Sequence, residues 1–195
     1  MENKDFIINN GVLEKYLGHD NNLIIPDGVK EIAKGFLEWN QIKDLISVTF
    51  PSTLEVIGVY AFSASRIKRV ALPKSMRVLE YKAFHECGSV EEIVLNEGLE
   101  TIGEYAFCGT GCKKIVIPNS VKEIKQGAFC DSRNLEEVYI PNSVEIIEKD
   151  AFSICEKLVN VTIPTKFKNQ LDDIFKENDP PKYEGRTKKI NYKFI

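Results

Sequence analysis

Phenylalanine returns along this chain at Phe62, Phe84, Phe107, Phe129 and Phe152, at intervals of 22, 23, 22 and 23 residues. Eleven residues ahead of it runs a second row, Pro51, Pro73, Pro118 and Pro141, with Asn96 in place of proline once. Self-similarity at a fixed period of roughly 20 to 50 residues marks a stacked-repeat protein, because each unit buries its apolar face only against its neighbours. The repeats run unbroken through roughly 140 of the 195 residues, so one repeat domain is expected.

The unit from Leu135 to Phe152 shows how one coil is built. Leu135, Val138 and Ile140 alternate inward in an extended segment while Tyr139 faces out. Pro141 removes a backbone donor and ends the strand, and Asn142-Ser143 form the turn. Val144 and Ile147 then point in from a second short extended stretch. Ala151 allows close approach and Phe152 fills the coil. The same rows repeat down the chain: Leu54/Ile57, Met76/Leu79, Leu99/Ile102 and Val121/Ile124 follow the proline position, and Ala61, Ala83, Ala106 and Ala128 precede the phenylalanine. In the first coil Gly35-Phe36 is read as the Ala-Phe pair.

The ends deviate, as terminal repeats do. Phe6-Ile7-Ile8, Asn10-Gly11 and Val12-Leu13 predict a capping hairpin, since Asn-Gly suits the turn that matches strand twist. The lone Trp39 is expected to pack under this cap rather than anchor a ligand. Pro164, Phe167, Leu171 and Phe175 keep the repeat interval, yet residues 171–176 read as helical, and Ile190–Ile195 can add a last strand. This divides the chain into a cap (1–22), about six solenoid coils (23–163), and a degenerate coil with a basic tail (164–195).

Charge and composition exclude several classes. Net charge is −3, but residues 180–195 hold five positives against one negative. That leaves +4 in the tail and −7 elsewhere, and the tail is read as a cap over the last coil. Nucleic acid needs a continuous positive strip, which the rest of the chain lacks. No apolar run reaches the ~20 residues of a membrane helix. Met1-Glu2-Asn3-Lys4-Asp5 does not resemble a secretory signal, so a cytoplasmic location is expected, with the cell surface as the alternative. Five cysteines are too few and uneven for a disulfide framework. Cys108 and Cys130 share one repeat position on neighbouring coils, which puts their Cα atoms about 5 Å apart. Cys108-x3-Cys112 has no partner pair at zinc spacing, and no metal or cofactor is expected.

Segments such as Leu135-x-x-Val138-x-Ile140-Pro141-Asn142-Ser143-Val144, followed by Ala151-Phe152-x-x-Cys155-x-x-Leu158, closely resemble the BspA-like, treponemal-type leucine-rich repeat family. The likeness runs from about Leu23 to Leu158. It implies a right-handed, curved leucine-rich-repeat solenoid, mainly short parallel β-strands with little helix, whose strand sheet lines the concave side. It also implies roles in adhesion and protein–protein binding, often at the cell surface, and no shared catalytic residues.

Outward-facing strand residues form the expected binding face. One column reads Ile24, Thr49, Ala71, Val94, Val116, Tyr139 and Thr162, largely apolar where solvent favours polar groups. Exposed apolar strips rimmed by charge tend to mark interaction surfaces, although β-branched residues also simply suit strands. Beside it Lys68-Arg69, Glu91-Glu92, Lys113-Lys114 and Glu136-Glu137 alternate in sign and read as a register-holding ladder. Nucleotide-binding, hydrolase, zinc-protease and calcium-loop motifs are all missing. The expectation is a non-enzymatic scaffold that binds a protein (or glycan) partner through Ala71, Val94, Val116, Tyr139 and Thr162. The alternative is a structural module that associates through its caps.

Overall fold

The computed structural model describes residues 4–37, 44–176 and 190–195. Two rows of short strands alternate along it. The row before the proline position holds β3 (Asn22–Ile24), β5 (Ser47–Thr49), β7 (Arg69–Ala71), β9 (Glu92–Val94), β11 (Lys114–Val116), β13 (Glu137–Tyr139), β15 (Asn160–Ile163) and β16 (Asn191–Phe194). The row after it holds β1 (Phe6–Asn9), β2 (Val12–Tyr16), β4 (Glu31–Ile32), β6 (Val56–Ile57), β8 (Val78–Leu79), β10 (Thr101–Ile102), β12 (Glu123–Ile124) and β14 (Ile146–Ile147). This second row is one continuous sheet, parallel except where β1 meets β2. The molecule is thus a β-solenoid, as the periodicity requires.

The hairpin β1–β2 joins the second row through β2, which pairs parallel with β4. Asn10 and Gly11 both have positive φ, 51° and 81°, as a two-residue hairpin turn of matching twist needs. At the far end Thr165–Gln170 forms a 3-10 helix and Leu171–Ile174 one α-helical turn. β16 then pairs parallel with β15. Trp39, and tail residues Lys182, Arg186, Lys188 and Lys189, lie outside the described residues.

The interior is the phenylalanine row. Phe62, Phe84, Phe107, Phe129 and Phe152 are fully buried. Successive rings lie 5.1–5.5 Å apart and nearly parallel, and Phe175 extends the stack from Phe152 at 5.5 Å. That spacing is within the range of favourable offset stacking.

Two rows of left-handed backbone flank each ring. Tyr60, Lys82, Tyr105, Gly127 and Asp150 sit two residues before the phenylalanine, and Ala64, Glu86, Gly109, Asp131 and Ile154 two residues after; all have φ between 53° and 73°. This conformation costs an L-residue roughly 1–2 kcal/mol. It is offset by direct coil-to-coil bonds: Phe62, Phe84, Phe107 and Phe129 each donate N–H to the alanine of the next coil at 2.8 Å.

The first coil corrects one expectation. Ile32 pairs with Ile57, and Leu37, not Phe36, donates to Ala61 as Phe62 does to Ala83. Gly35 therefore takes the left-handed position of Tyr60, with φ 62°, and Phe36 the alanine position. Its ring meets Phe62 edge-on, at 60°, instead of joining the stack.

The pre-proline row is not continuous. β3 pairs with β5, β7 with β9, β11 with β13, β13 with β15 and β15 with β16, while among the described residues no ladder joins β5 to β7 or β9 to β11. Both breaks follow a short path from the phenylalanine to the strand's first inward residue: five residues from Phe62 to Ile67 and from Phe107 to Cys112, against six from Phe84 to Val90, Phe129 to Leu135 and Phe152 to Leu158. The six-residue paths close an extra turn, in which Val90, Leu135 and Leu158 donate to Cys87, Ser132 and Cys155 at 2.9–3.0 Å. The five-residue paths lack it, and the strand that follows does not extend a ladder onto its predecessor; the coils of β5 and β7 share the backbone bond from Lys68 N–H to Ile46 O, at 3.1 Å, just ahead of the two strands.

Candidate functional site

The outward column lies in one row. Ile24 faces Thr49, Ala71 faces Val94, and Val116, Tyr139 and Thr162 stand side by side. Ile24, Val116 and Tyr139 are 70%, 50% and 41% exposed, while Ala71, Val94 and Thr162 are half-buried. Pleating sets this: in β11 and β13 the middle residues Ile115 and Val138 are buried, so their neighbours point outward.

A groove of about 500 Å³ opens where the ladder between β9 and β11 is missing. Val94, Val116 and Tyr139 line it, with Glu92 and Lys114 beside them and the turn at Asn96 and Asn119 along one rim. The opposite-sign rows pair only within ladders, Arg69 Nε to Glu92 Oε2 at 2.6 Å and Lys114 Nζ to Glu137 Oε2 at 3.0 Å. Among the described residues no ion pair joins Glu92 to Lys114. The expected unbroken charge ladder is therefore two separate pairs, because the seam displaces one pair from the other. Each pair is roughly half exposed and contributes about 0–1 kcal/mol.

Side chains bridge the seam at its turn. Asn96, which stands in the proline row, does not cross the seam: its Nδ2 donates back to Leu72 O, in the coil of β7. The Glu97 carboxylate accepts the Asn119 N–H at 3.0 Å and the Ser120 N–H at 2.9 Å, tying one coil's turn to the next. These bonds, the one from the Asn119 backbone first, hold the Glu97 carboxyl below its ordinary pKa. Gly98 donates to Ser120 Oγ at 3.0 Å, at φ 122° and with Lys74 O where a Cβ would lie, so only glycine fits.

Asn96, Glu97 and Asn119 were not expected at the rim; the one visible signal is the break of the proline row at Asn96. A second cluster went unread because its repeat position, held by Tyr60, Lys82 and Tyr105 on successive coils, carries no single residue type: Lys82 Nζ lies 5.3–5.6 Å from the rings of Tyr60, Tyr105 and the neighbouring Tyr81. Among the described residues no three His, Cys, Asp or Glu side chains gather as a metal site would require. The groove offers apolar contact and hydrogen bonding, which suits recognition.

Comparison with known proteins agrees with this architecture. The family described as BspA type Leucine rich repeat region matches residues 8–136 and 122–183, in six copies. A T. pallidum leucine-rich repeat protein of known structure is 31% identical, with 83% of this chain and 80% of that chain covered and a TM-score of 0.73. The pneumococcal vaccine antigen PcpA is 21% identical over 73% of this chain and 50% of its own, with a TM-score of 0.42. A leucine-rich cell surface protein of Faecalibacterium prausnitzii A2-165 is 18% identical over 82% and 63%, with a TM-score of 0.38. No curated protein matches. Repeat number, strand rows and sequence agree, and the chain belongs to the BspA-type leucine-rich repeat family.

Proposed function

We propose that this chain is a non-enzymatic interaction module that takes a protein partner on its pre-proline strand face, centred on Val94, Val116 and Tyr139. The coincidence of the exposed apolar row with the groove at the β9/β11 seam carries this reading. Leucine-rich repeat proteins generally mediate protein interactions or adhesion and are generally scaffolds without catalysis. An apolar floor between charged walls gives a partner buried area at the centre and orientation at the rim. Among the described residues no helix is long and apolar enough to cross a membrane. Location belongs to the proposal as well: display at the cell surface fits the family's adhesive role, and the cytoplasm is the alternative.

A photo-cross-linking residue tests the site. Placed at Val116 it should capture the partner, while at exposed Glu104, outside the strand face, it should not. Equal capture at both positions overturns the reading. The competing reading, assembly through the caps, draws on β16, which extends the strand row beyond the last regular coil. It predicts cross-links at Lys193 and between copies of the chain.

A further inference from the structure

Cys108 and Cys130 directly follow Phe107 and Phe129, one coil apart. Phe107 donates N–H to Ala128 O and Gly109 donates to Cys130 O, both at 2.8 Å, so the backbone on either side of Cys108 is bonded to the coil that carries Cys130. The two Sγ atoms are 2.8 Å apart, with the Cys130 S–H donating to Cys108. Coils about 5 Å apart lie inside the Cα span of a disulfide, roughly 4.4–6.8 Å.

No other cysteines share a position on adjacent coils. Cys87 contacts Ser65, Cys112 contacts Thr110, and Cys155 bonds to Phe129 O. Those three are fully buried, whereas Cys108 and Cys130 are each 8% exposed. The juxtaposed pair is also the pair that touches solvent.

We propose that Cys108 and Cys130 form a reversible dithiol–disulfide site that reacts with small-molecule disulfides of the glutathione type. The Cys108 thiolate attacks one sulfur of the small disulfide, forming a mixed disulfide and expelling one thiolate. The Cys130 thiolate then attacks the Cys108 sulfur, closes the protein disulfide and expels the second. Two protein thiols are oxidised, one small disulfide is reduced to two thiols, and the two protons pass to those products. The hydrogen bond favours the first thiolate on its acceptor sulfur, Cys108. Accepting the Cys130 S–H lowers the Cys108 pKa, and donating it raises that of Cys130; burial raises Cys87 to about 11. The closed bond would make residues 108–130 a covalent ring. That ring contains all of β11, including Val116, and the rim residue Asn119.

The test incubates the full folded chain in glutathione buffers of rising disulfide content. It reads free thiols, peptide mass after digestion, and the melting temperature. Two of the five thiols should disappear as a Cys108–Cys130 bridge, with Tm rising on the order of 5 °C. Cys108→Ser and Cys130→Ser should form no internal bridge. Serine is native at this repeat position in Ser63 and Ser153, so both variants should fold. One equivalent of phenylarsine oxide, which needs two adjacent thiols, should bind the reduced wild type and neither variant. Retention of all five thiols in the native protein, or a bridge that uses Cys87, Cys112 or Cys155, overturns the proposal.

Discussion

Phe129 lies face to face with Phe107, their ring centroids 5.5 Å apart and their planes 11° from parallel. Phe84 covers the other face of Phe107 at 5.4 Å. A ring held between two coils loses both contacts when truncated, because solenoid stability is a sum of local and nearest-neighbour terms. Phe107→Ala should cost roughly 3–5 kcal/mol. Phe175→Ala should cost less, since among the described residues the ring beyond Phe175 is Tyr192, edge-on and half-buried, in place of a stacked phenylalanine. Denaturation midpoints for the two variants measure the difference, and equal midpoints contradict it.

Ala64 is exposed and held at φ 56°, in the row where the next coils carry Glu86 and Gly109. Ala64→Gly should therefore stabilise the protein by about 0.5–1 kcal/mol, against the usual sign for that exchange. Gly109→Ala should destabilise it, since the new Cβ would sit 3.3 Å from Glu86 Cα at φ 73°. Urea melts of both variants check the pair of signs.

The seams predict a hydrogen-exchange pattern. Leu72, Ile117 and Ile140 donate across the strand row at 2.8–3.0 Å, whereas Phe50 and Leu95 have no such bond among the described residues. Amides of Phe50 and Leu95 should exchange markedly faster than the other three. One residue inserted between Thr110 and Gly111 restores the six-residue path and should slow Leu95. Uniform protection along the row would show that the ladder is unbroken.

Glu97 links stability to pH. Its folded pKa lies below the ordinary carboxylate value, so its contribution is present above that unfolded value, near 4.3, and is lost as pH falls through the folded pKa. Glu97→Gln should be less stable than wild type at pH 7, with a smaller gap at pH 3. Urea midpoints at the two pH values test this, and a gap that widens in acid contradicts it.

Much of this architecture is legible in the sequence because two of its rows use residues with one physical role each. Proline at the strand's end and phenylalanine in the core recur wherever that role recurs, and the Asn10-Gly11 hairpin is equally direct. The left-handed rows escape notice because Tyr60, Lys82 and Ile154 are not turn formers; coil-to-coil bonds hold them there against propensity. Phe36 misleads because a ring can fill the alanine position beside a coil of different length. The alternation of 22 and 23 residues is plain in the chain, but its meaning is three-dimensional. The lost residue falls before β7 and β11, so it opens the pre-proline row and leaves the other sheet intact. The apolar column of the site could be read in advance, but the seam that makes a groove of it could not.

Binding by the strand face is the central claim, and a double substitution tests it most directly. Tyr139→Ala removes a large exposed ring with a hydrogen-bonding tip and should weaken binding by about 1–2 kcal/mol, with little change in stability because the side chain points away from the core. Val116→Asp adds a charge to the groove floor. Affinity of the partner for wild type and for the Val116→Asp/Tyr139→Ala protein is the measurement, with melting curves to confirm that both fold. The account predicts that the double variant folds normally and loses the partner; a normally folded double variant that binds as tightly as wild type would contradict it.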